Sequence, residues 1–251
     1  MFVLVEAHDA AYEPLAQITL HQNKKLYCEK HGYVLHYSDD LGVKASGGRP
    51  QVSKLPPIPD EYFPSGWGKI FVMREAMEKY PEAEWIFNID TDAMITNMDK
   101  KLEDLVRTVA VESTHVAIPA DCNGINCGVM LVRNSPIGKA FLETVIAGMP
   151  LYRHWYMFEN QLIQDLAVGT HLEEDGMHPG GTFWARVIRV VPQRVMNSYD
   201  YRNLPRLAGR KDYNDILGSD GQWQPGDFVI QWPSTDLEFR IKAAKGIKDH
   251  M

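Results

Sequence analysis

The chain has 251 residues, 45% of them hydrophobic and 24% charged, with a mean hydropathy of −0.30; this is a globular composition, long enough to bury a core. Lys and Arg number 26 against 33 Asp and Glu, a formal net charge of −7, which argues against nucleic acid or an anionic membrane as the main partner and leaves room for a local basic pocket. No run approaches the ~18 apolar residues of a membrane span, and no signal peptide is recognisable, so the expectation is a cytoplasmic protein or one whose anchoring segment has been cut away. Cys28, Cys122 and Cys127 are too few for a disulfide framework. The C-x4-C of Cys122 and Cys127 lacks the second pair that a zinc site needs, so the three read as reduced thiols.

In chain order, Phe2 to Val5 is a buried-strand pattern that breaks into the polar Glu6, His8 and Asp9. Residues 13–31 read as a helix with Leu15, Ile18 and Leu26 on one stripe and Gly32 as its stop. Tyr33 to Tyr37 reads as a second strand. Residues 40–66 are rich in Gly, Pro and Ser and are expected to form a mobile loop. Trp67 to Tyr80 resumes helical spacing through Ile70, Met73 and Met77 and stops at Pro81. Trp85 to Ile89 is an apolar strand that leads into Asp90-Thr91-Asp92, and Asp99 is a candidate N-cap for the next helix. His115 to Pro119 and Gly128 to Val132 read as strands, and Ser135-Pro136 opens a helix to about Ala147. A helix over 158–168 and strands at Val187–Val191 and Phe228–Gln231 follow, with a second loop, also expected to be mobile, over 202–225. The alternation predicts a single α/β domain whose sheet is mostly parallel in its first half, with ligands beyond the carboxyl ends of the strands.

Asp90-Thr91-Asp92 is the sharpest feature. Two carboxylates two residues apart at a strand end can point into one cleft and share a hard divalent ion such as Mg2+ or Mn2+. Spacing alone is weak, because 18 Asp in 251 residues would give roughly one D-x-D by chance; the place at the end of an apolar strand is what raises the signal. A metal-dependent glycosyltransferase and a haloacid-dehalogenase-type phosphohydrolase both carry such a pair. The hydrolase pattern fits poorly. Ala93-Met94 follows the pair, the pair lies far from the N-terminus, and the late acidic candidate is Gly226-Asp227.

Six blocks in order resemble glycosyltransferase family 34, which includes plant xyloglucan xylosyltransferases, fungal galactosyltransferases and yeast α-1,6-mannosyltransferases. Trp67 to Met98 carries W-x-K, a helix, a Pro-containing turn and an apolar strand into D-[ST]-D-A. Asn23 to Tyr33 (NKKLYCEKHGY), Asn123 to Ser135 (NGINCGVMLVRNS), Glu159 to Gln161 (ENQ), Val191 to Tyr199 (VPQRVMNSY) and Gly226 to Trp232 (GDFVIQW) supply the others. The likeness spans residues 20–232 or so.

The resemblance implies a GT-A-like, Rossmann-like mixed sheet flanked by helices, a divalent metal (Mn2+ or Mg2+) and retention of anomeric configuration. It also implies a nucleotide-sugar donor, a UDP-sugar in preference to a GDP-sugar, and an oligosaccharide or glycoconjugate acceptor. Asp90 and Asp92 would hold the metal, with Ala7, His8, Lys69, Thr91, Asn126 and Gly128 around the donor. The missing Cβ of Gly128 would leave room for the transferring sugar. Glu159, Asn160 and Gln161 would lie at the reacting face; the plain alternative for them is an exposed helix start. Asn160 stands where plant members can have Asp, and an amide cannot act as a base. Gln231 stands where the family commonly has a His as third metal ligand. His8, His154, His171 and His178 are other histidines available by type, each reading as a surface or loop residue. Arg240, Lys242, Lys245 and Lys248 form a basic tail that reads as a solvated face. A catalytically silent sugar-nucleotide or glycan-binding module is the remaining alternative.

Overall fold

The N-terminal apolar run forms β1 (Phe2–Ala7), one strand in from an edge of the main sheet. The computed structural model describes residues 1–39, 65–152, 157–168, 183–207 and 209–248. A continuous helical stretch follows β1, made of α1 (Glu13–Ala16), a π-helical segment (Gln17–Lys24) and α2 (Lys25–His31). Gly32, at φ +71°, ends it in the left-handed conformation that glycine adopts without penalty. Then come β2 (Val34–Ser38), α3 (Gly68–Lys79), β3 (Trp85–Ile89), β4 (Ala93–Ile95), α4 (Leu102–Val109), β5 (Val116–Asp121), β6 (Gly124–Ile125) and β7 (Val129–Arg133). The chain continues through α5 (Pro136–Tyr152), α6 (Phe158–Val168), α7 (Phe183–Val187), β8 (Ile188–Val191), α8 (Gln193–Met196), β9 (Ser198–Tyr199), β10 (Val229–Gln231) and α9 (Leu237–Lys248).

The main sheet has the order β2-β1-β3-β7-β5-β6, with β8 also on β5. β2, β1 and β3 are parallel, β7 runs against β3 and β5, and β8 is parallel to β5. The mostly parallel first half is therefore as expected. Alternation explains why β1, β3 and β7 are almost wholly apolar, apart from Glu6, Asn88 and Arg133 toward their carboxyl ends: successive side chains enter different cores. Val3, Val5, Ile86, Met130 and Val132 pack with α3 and α5 on one face, while Phe2, Leu4, Phe87, Val129 and Leu131 pack with α2 and α4 on the other. A small sheet, β4-β10-β9, covers a third cluster that includes Leu15, Met94, Tyr199, Ile230, Trp232 and Ala244. Among the described residues no helix is long and apolar enough to cross a membrane.

Three local expectations need correction. Leu26 is half exposed, and the buried positions nearby are Asn23, Lys24, Tyr27 and Cys28. The wider π turns shift the helix phase, so a stripe counted at α-helical spacing comes out on the wrong face. Asp99 does not cap α4: the cap position is Lys101, Asp99 pairs with Lys30, and the free amide of Leu102 donates to Tyr33 Oη at 3.0 Å. The expected helix to about Ala147 runs on to Tyr152, although Ser135 does open it, its Oγ accepting from Gly138 N at 3.1 Å.

Most of the expected loop at 40–66 lies outside the described residues. The 202–225 stretch is tied by Asp215, which is buried; its Oδ1 accepts from Leu217 N and Ser219 N and its Oδ2 from Gln193 N, at 2.8 to 2.9 Å.

Candidate active site

Because β1 and β3 are parallel neighbours paired at Val5 and Asn88, their carboxyl ends open on the same edge, which brings Ala7 and His8 beside Asp90-Thr91-Asp92. The chain turns sharply after β3: Ala93 N donates to Asp90 O at 3.0 Å, and Asp90 N donates back to Gly128 O at 2.7 Å. Thr91 faces inward, its Oγ1 donating to Ala7 O at 3.3 Å. Both aspartates, with Ala7, His8, Lys69 and Arg240, border a cleft of about 140 Å³.

Lys69 is not a solvated helix-start lysine. It is buried, with Nζ 2.6 Å from Asp90 Oδ2 and 3.3 Å from Glu159 Oε1. Burial works against its charge, but Asp90, Cys127 and Glu159 prevail and hold its pKa well above the ordinary lysine value. Asn88 Nδ2 donates to Asp90 Oδ1 at 3.1 Å. Burial nonetheless dominates at Asp90, and together with the neighbouring Asp92 it pushes the carboxyl up to about 6.

Asp92 is held from the small sheet. The β10–β4 register sets Gln231 opposite Ala93, and Trp232 N donates to Asp92 O at 3.0 Å. Gln231 Nε2 donates to Asp92 Oδ1 at 2.9 Å, while its Oε1 accepts from Asn197 Nδ2 at 2.7 Å. Gln231 thus presents nitrogen to the carboxylate, and the oxygen that a metal would need is engaged elsewhere. Arg240 departs from the expected solvated face: it is buried with Nη2 3.1 Å from Asp92 Oδ2, whereas Lys242, Lys245 and Lys248 are exposed.

The Glu159-Asn160-Gln161 trio divides. Glu159 is only 4% exposed, not an exposed first-turn acid, and its buried Oε2 has no hydrogen-bond partner among the described residues. Asn160 Oδ1 accepts from Cys127 N at 2.7 Å. Gln161 turns along α6 and donates to Asp165 Oδ1 at 2.8 Å. Gly128 does have a reason to lack a Cβ, but it lies within the protein: a Cβ there would meet Gln231 Nε2 at 2.3 Å and Asn126 Oδ1 at 2.9 Å.

Asn126 borders a second cavity, of about 460 Å³, together with Asp121, Asn160, Tyr199, Arg206 and Thr235 among others. Asp121, a buried carboxylate at the end of β5, accepts from Tyr199 Oη at 2.7 Å and from Asn126 Nδ2 at 3.1 Å. Tyr199 closes the VPQRVMNSY block, but the sequence offers no motif for Asp121, whose strand-end position was the available signal. His8 is buried rather than a surface residue, paired with Glu6 at 3.4 Å and Glu13 at 3.1 Å. His154, His171 and His178 lie outside the described residues. Asp227, the late acidic candidate of the hydrolase pattern, is bound by Arg194 at 3.0 Å and by Ser198 Oγ at 2.9 Å.

A divalent cation fits the residues present. Asp90, Asp92 and Glu159 face Lys69 and Arg240, an excess of one carboxylate, and Asp90 and Asp92 offer hard oxygens at the cleft. Among the described residues no third His, Cys, Asp or Glu joins the pair as a metal cluster.

A mixed sheet with this order, an acidic pair at the end of its third strand and a small sheet bracing that pair through Gln231 defines a GT-A glycosyltransferase fold. A solved glycosyltransferase involved in the glycosylation of the major capsid of PBCV-1 has the same fold, with a TM-score of 0.64 over 98% of both chains at 12% identity. The model of the galactosyl transferase GMA12/MNN10 family matches residues 2–112 and 106–234, and the chain belongs to that family. It is 25% identical over 223 residues to an α-1,2-galactosyltransferase of Schizosaccharomyces pombe, covering 75% of this chain and 52% of the relative. It is 28% identical over 147 residues to the probable α-1,6-mannosyltransferase MNN10 of Saccharomyces cerevisiae, covering 49% of this chain and 34% of the relative. The chain thus spans about half or less of the length of these curated relatives.

Proposed function

We propose that the chain transfers a sugar from a nucleotide-diphosphate donor to a glycan acceptor, with retention of anomeric configuration and with a divalent ion, Mn2+ or Mg2+. The observation that carries this reading is the placement of Asp90 and Asp92 together on a cleft whose wall also holds Lys69 and Arg240. Carboxylates for an ion and two buried cations beside them suit a diphosphate better than a neutral ligand. Bound by Asp90 and Asp92, the ion would stabilise the nucleoside diphosphate as leaving group. Ala7, His8 and Thr91, on the wall of the cleft, are assigned to the donor, and Asn126, on the wall of the second cavity and next to Gly128, is assigned to the transferring sugar. That cavity has the size of a small-molecule site, and its mix of carboxylate, amides and aromatic surface suits a pyranose acceptor.

Asp90, with Glu159 behind it, keeps Lys69 charged, and Asn160 fixes the Cys127 amide beside Asn126. Asn160 carries no basic group, so the acceptor hydroxyl proton is assigned to the departing phosphate oxygen, on the face the sugar leaves. Gln161, expected at the reacting face, is given no role in the transfer, because its side chain is held by Asp165 on α6. A UDP-sugar is favoured by the likeness to galactosyltransferases.

A thermal-shift panel of UDP, GDP and their sugars, with and without Mn2+, tests the donor, since a ligand that binds only the folded chain raises its melting temperature. The productive pair should then release nucleoside diphosphate together with a new glycoside. Asp92→Ala should abolish the Mn2+-dependent part of UDP binding and keep the fold. Donor affinity unchanged in that variant would overturn the assignment, and binding without turnover of any acceptor would select a sugar-nucleotide-binding module instead.

A further inference from the structure

The π-helical segment places three polar side chains against the backbone that carries the acidic pair. Thr19 Oγ1 donates to Thr91 O at 2.8 Å, and Lys24 Nζ donates to Asp90 O at 2.8 Å. Asn23 brackets Ile95, donating from Nδ2 to its O and accepting from its N, both at 2.8 Å. In an α-helix Lys24 would lie about 140° round the axis from Thr19; the π turn, bonded from i to i+5, brings residues five apart onto one face. The irregular helix is thereby tied to the site.

Lys24 and Glu6 form an ion pair whose two side chains are fully withdrawn from solvent. Such a pair is weak evidence for stability, because a well-packed apolar pair of similar volume often serves as well. What an apolar pair cannot do is donate to Asp90 O. That oxygen already accepts from Ala93 N in the turn, so the ammonium adds a charge-assisted bond to the atom that closes residues 90–93. The turn sets the directions of both carboxylates.

We propose that Lys24 and Thr19 are positioning residues that fix the Asp90-Thr91-Asp92 turn, with Glu6 holding the ammonium in place. This deepens the transferase reading and rests on it only for what the turn binds. Glu6→Leu/Lys24→Met removes both buried charges, and Thr19→Val removes one hydroxyl at constant shape. Three measurements separate positioning from folding: melting temperature, amide hydrogen exchange of peptides covering 90–96 and 129–133, and affinity for UDP with Mn2+.

The double variant should melt close to the wild type yet exchange at least tenfold faster over 90–96, with 129–133 unchanged, and bind UDP with Mn2+ at least tenfold more weakly. Thr19→Val should show the same pattern at about threefold and serves as the readout if the double variant does not fold. Wild-type exchange over 90–96 in the variant that folds overturns the proposal. Failure of wild-type protein to bind UDP with Mn2+ overturns the donor reading instead, and the exchange measurement then decides the positioning role by itself.

Discussion

Arg240 on α9 and Asp92 at the β3–β4 turn meet as a buried ion pair, Nη2 to Oδ2 at 3.1 Å, with side chains 10% and 13% exposed. The guanidinium is fixed on two further sides, Nε donating to Trp232 O at 3.1 Å and Nη1 to Tyr12 Oη at 2.8 Å. α9 is therefore joined to the acidic pair by one residue.

Arg240→Met should leave Asp92 without that cation, costing about 3 kcal/mol of stability as expected for one partner removed from a buried pair. Affinity for UDP with Mn2+ should fall about tenfold, or ~1.4 kcal/mol. Arg240→Lys should fall between, since one ammonium cannot reproduce a guanidinium anchored on four acceptors, Asp92 Oδ2, Trp232 O, Thr235 Oγ1 and Tyr12 Oη. Denaturant unfolding and calorimetry check both. Full UDP affinity in a destabilised Arg240→Met would confine the residue to the fold.

His8 gives the chain a pH dependence of definite sign. Burial opposes its charge, but Glu6 and Glu13 outweigh burial and raise its pKa above the usual histidine value. A raised folded-state pKa stabilises the fold fully below the unfolded value of about 6.5, and that contribution is lost as pH rises through the folded pKa. The melting temperature of wild type minus that of His8→Gln should therefore be largest near pH 5.5 and shrink on going to pH 8.5. A difference that is flat across this range, or that grows with pH, would show His8 to be neutral in the folded chain.

These two residues mark the boundary of what the sequence made legible. β1 and β3 were readable because strands buried on both faces carry near-continuous apolar runs, and Asp90 and Asp92 because they follow such a strand directly. His8, Lys24 and Arg240 were not, since a charged side chain reads as solvated until its partners are known, and those partners come from other elements. Leu26 failed for a different reason: helical phase is counted at one spacing, and a π segment changes it within two turns. Gly128 was expected to leave room for a sugar, but its need for space comes from Gln231, which only the β10–β4 register brings near.

That contact makes a sharp test of the Gly128 position. A Cβ there would come within 2.3 Å of Gln231 Nε2, and the amide end, being flexible, would swing off Asp92. Gly128→Ala should destabilise by about 1–3 kcal/mol through overpacking. In Gly128→Ala/Gln231→Ala the closest contact is gone and only Asn126 Oδ1, at 2.9 Å, still crowds the new Cβ, so the double variant should be no less stable than Gly128→Ala alone, a clear departure from additivity. Additive losses in denaturant unfolding would mean that the two side chains do not compete for the same space.

Gln231→His bears on the metal itself. Gln231 lies beside Asp92 because it pairs with Ala93 across the small sheet, but it turns Nε2 to the carboxylate and gives Oε1 to Asn197. An imidazole at this position would set a ring nitrogen with a free lone pair next to Asp92, where the amide now offers a donor. Mn2+ affinity should rise, and by more for Mn2+ or Co2+ than for Mg2+, which prefers oxygen. The gain should fall as pH drops below about 6.5, because the protonated ring cannot ligate. The Asn197 amide loses an acceptor in the exchange, a cost in stability of about 1–2 kcal/mol that denaturant unfolding can measure separately from metal binding. Titration of free Mn2+ by electron paramagnetic resonance between pH 6 and 8 reads the affinity without any donor present. Equal affinity of the two proteins at every pH would place the ion beyond reach of residue 231 and leave Gln231 the single role of bracing Asp92.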